Sequence, residues 1–309
     1  MNNFYEQEKA SAFVFAEAGP CWHLCTPEDH KVIFTRDEEY KTAMDIIGIC
    51  ARLYPHVRIF TFEWMSNHLH MFLAGTEDKV REMFDLMKKM IRRQLSAWGR
   101  PDPLSGFECR LRIVETLEDG RNVLAYNNRN GFLVNPATSP YSYPWGANRY
   151  YFNADAKSYY LHCRQKMTVR QIRQSARGGF ADGIAPLHTL DGYACPMDFC
   201  DIDGGERLFR NARHYFFAIS RNLESQKKIA AEVGERIFYT DDELFLVVSG
   251  YCKQQFDCGV PSLLPAQAKT DVARMMHFEY NAGNKQIQRI LRLDARTVDA
   301  LFPLRAPSR

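Results

Sequence analysis

Strand and helix patterns alternate along the first third of the chain, and their order restricts the fold more than any other feature of the sequence. Residues 11–26, for example, place Phe13, Phe15, Trp22 and Leu24 at the alternating spacing of a β-strand. The strand-like stretches are 11–26, 56–65, 68–75 and 107–116, and the helix-like stretches are 37–54 and 76–98. The resulting order is β-α-β-β-α-β.

This order predicts an α+β fold with the ferredoxin-like arrangement. A short helix is expected next, over residues 121–131, and the Pro-, Ser- and Gly-rich residues 135–146 indicate a boundary or clasp. Beyond about residue 155 the strand signals disappear. We therefore expect a first domain at 1–152 and an all-helical C-terminal domain at 153–309.

Composition restricts the class of protein but does not identify a binding partner. The chain has 309 residues, is 46% hydrophobic and carries a net charge of only +3, so nucleic-acid binding must come from local clusters. No apolar run approaches the roughly 18 residues that a membrane helix needs, and the polar N-terminus does not resemble a signal peptide. Nine cysteines without a Cys-x-x-Cys pair indicate reduced thiols. We expect a cytoplasmic protein with no membrane partner.

Two histidines stand out because they lie in an apolar strand. His68 and His70 are two residues apart, so both project from the same face of the predicted strand. They could be structural residues with ordinary hydrogen-bond partners. They could equally be ligands of a divalent metal, since neutral imidazole is a common ligand.

A tyrosine and an asparagine have the spacing of one helix face. Tyr126 and Asn130 are four residues apart in "YNNRN", so a helix would present a phenol and an amide oxygen together. Taken alone, this pair is also compatible with ordinary helix packing.

The motifs together resemble those of HUH-type single-tyrosine transposases, and in particular the REP-associated tyrosine transposases. Those proteins carry a Met-Pro-Asn-His-hydrophobic-His segment, then Tyr-x-x-x-Asn-Pro, then Tyr-Pro-Trp. The matching stretches here are 65–70, 126–130 and 143–145, in the same order, and the resemblance covers roughly residues 11–152. Ser66 and Gly131 stand where the family has proline. Gly131 could loosen the end of the tyrosine helix.

The resemblance implies a chemistry for these residues. His68, His70 and Asn130 would hold Mg²⁺ or Mn²⁺, and the two imidazoles favour Mn²⁺ because Mg²⁺ prefers oxygen ligands. Tyr126 would attack a phosphate of single-stranded or hairpin DNA and form a 5′-phosphotyrosine. A homodimer is an alternative to a monomer. A domesticated protein that binds nucleic acid on the same fold without catalysis stays open as the second interpretation.

Two groups of basic residues are candidate DNA contacts. The first group lies in the second predicted helix and contains Lys88, Lys89, Arg92 and Arg93. The second contains Lys166, Arg170, Arg173 and Arg177, whose spacing of four, three and four residues predicts one stripe of a helix.

The end of the chain has the spacing of a helix-turn-helix motif. Residues 266–303 predict a helix, a break at 281–283, a second helix, a turn near Asp294 and a last helix. This part is similar to the DNA-binding end of the bacterial replication initiator, which implies a DNA-binding role for the C-terminal domain.

Overall fold

Four antiparallel strands form the centre of the computed structural model: β1 (Cys21–Cys25), β2 (Arg58–Trp64), β3 (Leu69–Ala74) and β4 (Arg110–Val114). Their order in the sheet is β2-β3-β1-β4. The structure describes residues 2–28, 30–100, 104–134, 143–177, 184–221, 239 and 241–303. These residues belong to two compact units, Met1–Glu235 and Arg236–Arg309. The predicted α+β class is confirmed.

Helices cover both faces of this sheet. The connection from β1 to β2 contains α2 (Asp37–Leu53), that from β3 to β4 contains α3 (Glu77–Ala97), and α4 (Leu117–Val134) follows β4. The element order over residues 21–114 is therefore β-α-β-β-α-β. The spacing of six apolar residues in α3 puts them on one face of the helix, and all six are buried: Val80, Met83, Phe84, Met87, Ile91 and Leu95.

The alternation of side chains along β3 decides which helix each residue meets. Trp64, opposite Leu69, stacks on Phe107, and Phe107 stacks on Phe84 of α3. Phe72 points to the other face, where it lies against Gly120 of α4. Helix α3 and helix α4 thus lie on opposite faces of the sheet, and β3 is buried on both sides.

The strand predicted from residue 11 was wrong over residues 11–17, because these residues end a helix, α1 (Asn2–Glu17). Four alanines between residues 10 and 18 favour a helix. Glu8 pairs with Arg121 of α4 through two bonds of 2.8 and 3.0 Å. Phe15 packs on Gly120. The strand starts only after Gly19, whose φ of +82° turns the chain.

Residues 143–147 pair with the free edge of β2 and act as the predicted clasp; residues 135–142 lie outside the described part of the chain. Trp64 N donates to Trp145 O at 2.8 Å, and Ala147 N donates to Phe62 O at 3.1 Å. A Cβ at Gly146 would lie 2.8 Å from Phe62 O, so only glycine fits this close approach.

The prediction that only helices follow residue 155 was wrong. Three short strands, β5 (Gln165–Lys166), β6 (His188–Leu190) and β7 (Tyr193–Ala194), form a second sheet. Asp191 and Gly192 both have positive φ and make the two-residue turn between β6 and β7. Asp-Gly is a strong hairpin signal, but strands this short leave too few residues for a visible alternation.

The helices of this region are short. They are α5 (Ala154–Cys163), α6 (Val169–Ala176), α7 (Pro196–Phe199), α8 (Ile202–Arg207) and α9 (Ala212–Arg221). The region packs on β2: Tyr151 donates to Phe60 O at 2.7 Å and Asp201 N donates to Ile59 O at 2.8 Å. The compact division of the chain therefore falls between residues 235 and 236, whereas the sequence placed a boundary between 152 and 153.

The described part of the second unit is helical. Its helices are α10 (Asp241–Phe256), α11 (Ala266–Tyr280), α12 (Asn284–Leu291) and α13 (Ala295–Leu301). Asn281, with φ of +50°, ends α11, and Asp294 caps α13 by accepting from Thr297 N at 3.0 Å. The predicted succession of helix, break, helix, turn and helix is confirmed. Among the described helices, none has both the length and the apolar character needed to cross a membrane.

We expect a pH-dependent contribution to stability from Asp45. Its carboxyl group accepts from Ser175 Oγ at 2.8 Å and from Ala194 N at 2.7 Å, and burial raises its pKa to about 6. An unfolded aspartate ionises near pH ~4. The protonated group therefore stabilises the fold fully below about pH 4, and this contribution is lost as the pH rises through about 6.

The Asp45→Asn variant cannot ionise and should retain this contribution. Relative to wild type, its free energy of unfolding should rise by up to about 3 kcal/mol between pH 4 and pH 7. Urea unfolding followed by tryptophan fluorescence reports on the first unit, because all four tryptophans lie there. Asp85→Asn, at an exposed position of α3, is the control. An Asp45→Asn effect that is equal at both pH values would contradict the assignment.

Candidate functional site

The two predicted histidines lie together on the face of the sheet that α4 covers. Their ring centroids are 5.0 Å apart and the ring planes are perpendicular. His68 immediately precedes β3 and is 9% exposed, while His70 lies within the strand and is fully buried. The structure thus brings together the pair that the two-residue spacing predicted.

Tyr126 projects from α4 onto the same group. Its ring stands edge-on to the ring of His70, with centroids 5.5 Å apart and an interplanar angle of 87°. Asn130 lies one turn later in the same helix, but its side chain is outside the described residues. The third predicted ligand therefore stays a prediction.

A third histidine, which the sequence reasoning missed, completes the group. His23 of β1 stacks on His70 at 5.7 Å and meets Tyr126 edge-on at 5.9 Å. Its position follows from strand register, since His23 lies opposite Phe72. The only signal in the sequence is one polar residue at the centre of "CWHLC". We call His23, His68, His70 and Tyr126 the histidine–tyrosine cluster.

All three imidazoles of this cluster are held in the neutral form. Burial lowers the pKa of His70 to about 3. Burial, and then the neighbouring His70, hold the pKa of His68 and of His23 well below the ordinary value. Neutral imidazole is the form that binds metal.

Asn67 selects the tautomer of His68. The Asn67 amide group donates to Glu28 O and to His30 O, which leaves its oxygen 2.8 Å from His68 Nδ1. His68 therefore donates from Nδ1 and keeps the lone pair of Nε2 for a ligand. A partner of this kind on the second nitrogen is typical of metal-binding histidines.

These donors fit a divalent metal only if another residue contributes. Within the described residues, no group of three or more His, Cys, Asp or Glu side chains is arranged to hold a metal ion. Glu63, buried on β2, lies opposite His70 in the sheet but does not complete such a group. The predicted set is compatible with this result, because its third member, Asn130, is an amide.

Three described tyrosines that follow Tyr126 in the chain have structural partners. Tyr143 donates to Trp64 O, and Tyr151 donates to Phe60 O at 2.7 Å. Tyr150 accepts from Cys195 Sγ at 3.1 Å. Burial raises the pKa of all three phenols. Of these four, Tyr126 is the one whose ring contacts the histidines.

A buried polar network fixes α4 on its other side. Asn128 donates from Nδ2 to Tyr215 Oη at 2.8 Å and accepts from Thr61 Oγ1. Tyr215 donates to Asn148 Oδ1 at 2.6 Å, and Asn148 Nδ2 donates to the backbone oxygen of Asn128 at 2.7 Å. The helix that carries Tyr126 is thereby tied to β2 and to α9.

The predicted basic stripe is not a single helical stripe. Lys166 lies in β5, because a capping box between Thr168 and Gln171 starts α6 only at Val169. Arg177 caps the end of α6 with φ of +42°. The prediction was therefore wrong about the helix, although Lys166, Arg170, Arg173 and Arg177 are all exposed.

Helix contacts bring the two basic groups next to each other. Gln94 of α3 donates to Ser175 O at 2.8 Å, and Arg177 Nε donates to Gln94 Oε1 at 2.9 Å. Arg93 Nη1 lies 3.4 Å from Arg177 O. Lys89, Arg92 and Arg93 are exposed beside this contact, while Lys88 is half-buried and pairs with Glu108. The basic residues of α3 and α6 form one surface, which we call the α3–α6 surface.

Comparison with known proteins adds no relative: no family model matches the chain, and neither does a curated protein or a solved structure.

Mn²⁺ binding tests the two histidines. We expect calorimetry to detect Mn²⁺ binding to the wild-type protein and none to His68→Ala, because an imidazole ligand is removed. Asn67→Ala should weaken binding by about 10- to 100-fold, because it frees the orientation of His68. His56→Ala removes an exposed histidine and is the control. Equal binding by wild type and His68→Ala would exclude the site.

Proposed function

We propose that the first unit carries a ferredoxin-like HUH domain that cleaves and rejoins single-stranded DNA through Tyr126, with a divalent metal as cofactor. The observation that carries this proposal is the ring contact between Tyr126 and His70, beside His68. An antiparallel sheet in the order β2-β3-β1-β4, with the split β-α-β connections, supports the fold assignment.

Different residues would bind the metal and attack the scissile phosphate. His68 Nε2, His70 and Asn130 would bind Mg²⁺ or Mn²⁺, which supplies Lewis-acid polarisation of the scissile phosphate. The Tyr126 oxygen attacks phosphorus, forms the new P–O bond and releases the 3′ oxygen as a free hydroxyl. The resulting 5′-phosphotyrosine keeps the bond energy that rejoining needs. Helix α4 would hold the phenol in place, since its start and its middle are packed at Gly120 and Asn128.

The α3–α6 surface would bind the DNA backbone away from the point of cleavage. Helix α3 covers the face of the sheet opposite the histidine–tyrosine cluster, so these cations do not line the cluster. From residue 86 to residue 97 of α3, and from 164 to 177, the sequence contains basic residues and no acids. Such a one-sign surface attracts phosphates. Hairpin DNA, which extends beyond the cleaved strand, is the substrate that uses both sites.

The second unit would bind duplex DNA through its helix-turn-helix motif, α12 and α13. Arg292 in the turn and Arg296 in α13 are exposed. The unit Arg236–Arg309 contains ten Lys and Arg residues and eight Asp and Glu residues, a net charge of only +2, so its net charge gives little general attraction for DNA. The proposal for this unit rests on the helix arrangement.

We also propose a cytoplasmic location for the protein.

Removal of one oxygen atom tests the nucleophile. Tyr126→Phe should abolish the covalent protein–DNA adduct with labelled hairpin DNA and Mn²⁺, because a phenyl ring has no attacking atom. Metal binding and DNA binding should persist. Tyr143→Phe is the matched control and should retain the adduct, since the Tyr143 hydroxyl already donates to Trp64 O. The assay is a denaturing gel.

The outcomes of this assay are distinct. An adduct that persists in Tyr126→Phe and disappears in Tyr143→Phe would exclude Tyr126. Absence of an adduct with every hairpin tested would favour the non-catalytic, domesticated nucleic-acid-binding protein. Gly131→Pro would then be the first variant to test for adduct formation.

The salt dependence of DNA binding tests the α3–α6 surface. Replacing Arg92 and Arg93 with Gln should flatten the dependence of affinity on salt, by a slope of about 0.7 per lost phosphate contact on single strands. Lys79 and Arg81, replaced in the same way, are the control because they lie in the first turns of the same helix, far along it from Gln94 and the contact with α6. The surface has no role in DNA binding if both double variants give the wild-type slope.

A further inference from the structure

Asn127, the residue after Tyr126, connects α4 to the middle of the sheet. It is fully buried, and its carboxamide oxygen accepts from Phe72 N at 3.1 Å. Its amide group donates to His23 Nε2 at 3.1 Å and to Val123 O at 3.3 Å. One side chain of α4 therefore bonds to β1 and to β3 at once.

The orientation of this carboxamide follows from its neighbours. Phe72 N can only donate and Val123 O can only accept, so the oxygen must face Phe72 and the amide must face Val123. The same orientation presents an N–H to His23 Nε2. His23 is thereby fixed as the tautomer that carries its proton on Nδ1.

The pairing of β2 with β3 is irregular next to the bond between Phe72 N and the Asn127 side chain. The pairing of β2 with β3 shifts between Ile59 and Thr61, so Phe60 is an extra residue opposite Phe72. At such a bulge the regular ladder is locally disrupted. The Phe72 amide, which regular pairing would direct to a strand, here bonds to the side chain of Asn127.

These contacts form a chain that ends at the candidate nucleophile. Asn127 holds His23, and His23 stacks on His70 and meets the Tyr126 ring. Successive residues of a helix differ by about 100° around its axis. A slip of α4 by one residue would therefore turn Tyr126 away from His70 and break both bonds of Asn127 to the sheet.

We propose that Asn127 is a positioning residue that sets the register of Tyr126 against His70. The inference rests on the proposed function for its catalytic consequence, but not for the placement of the ring. Asn127 occupies one of the unspecified positions of the Tyr-x-x-x-Asn segment, so it is not one of the residues that carry the family resemblance.

Asn128 provides a matched control, because the neighbouring asparagine is equally buried in the same helix. Its carboxamide bonds to Thr61 and Tyr215 and does not bond to His23 or Phe72. Leucine has a similar size and no hydrogen-bonding group. Asn127→Leu and Asn128→Leu should therefore lose thermal stability to a similar extent. Only the first should move Tyr126, because Asn128→Leu keeps the bond from Asn148 Nδ2 to the backbone oxygen of residue 128 and leaves the bonds of Asn127 intact.

Two readouts separate position from activity. The first is ¹⁹F NMR of full-length protein with 3-fluorotyrosine at position 126 alone, without DNA or metal. The resonance should move in Asn127→Leu and stay in place in Asn128→Leu. The second is adduct formation, whose rate at saturating DNA should fall by about 100-fold in Asn127→Leu, the cost of a nucleophile misplaced by about 1 Å. The DNA concentration at half-saturation should not change.

The proposal is overturned if the resonance in Asn127→Leu coincides with wild type, or if both variants move it equally. If it moves only in Asn127→Leu while even wild type forms no adduct, Asn127 positions the ring and the proposed function fails. If wild type forms the adduct and the resonance does not move in Asn127→Leu, the proposed function stands and the positioning role of Asn127 is excluded. Should Asn127→Leu not fold, Asn127→Asp keeps the acceptor for Phe72 N and removes the donor to His23, with a shift in the resonance again expected.

Discussion

Strand β3 is hydrogen-bonded on both edges and covered on both faces, and the arrangement of the site depends on this double enclosure. In such a position a polar side chain has no water, so it must be neutral or paired. His70 meets this condition by staying uncharged, as does His23 beside it on β1. A neutral imidazole is also the form that can bind a metal ion. The same enclosure therefore explains both the low proton affinity of these residues and their proposed roles.

The periodic features were predictable from the sequence, and the features that depend on long-range register were not. The two-residue spacing of His68 and His70 fixes their common face without any knowledge of the neighbouring strands. The apolar face of α3 and the helices of residues 266–303 were predictable for the same reason. His23 required the pairing of β1 with β3, which brings together residues 47 positions apart in sequence. Nothing in a local window contains that information.

Two errors came from local patterns that a stronger local signal overrode. Phe13 and Phe15 alternate, but the four alanines between residues 10 and 18 favour a helix. Lys166 through Arg177 has helical spacing, but the capping box at Thr168 starts the helix too late to include Lys166. In each case the deciding residues were present in the sequence. The α3–α6 surface could not be predicted in this way, because Gln94 and Arg177 meet only in the folded chain.

The clasp at residues 143–147 has a consequence for how this sheet meets other chains. An unpaired edge strand exposes N–H and C=O groups that can extend the sheet into a second molecule. At β2 the chain itself occupies that position around Gly146, so this edge is closed to intermolecular strand addition. The opposite edge, β4, has no further strand beside it in the described sheet. Arg110 and Arg112 lie along it, and charged side chains at an edge are a common protection against aggregation. The sheet is thus paired with backbone on one side and carries charged side chains on the other, where Arg112 pairs with Asp119 at 2.8 and 2.9 Å. This arrangement favours a finite sheet over a fibrous one.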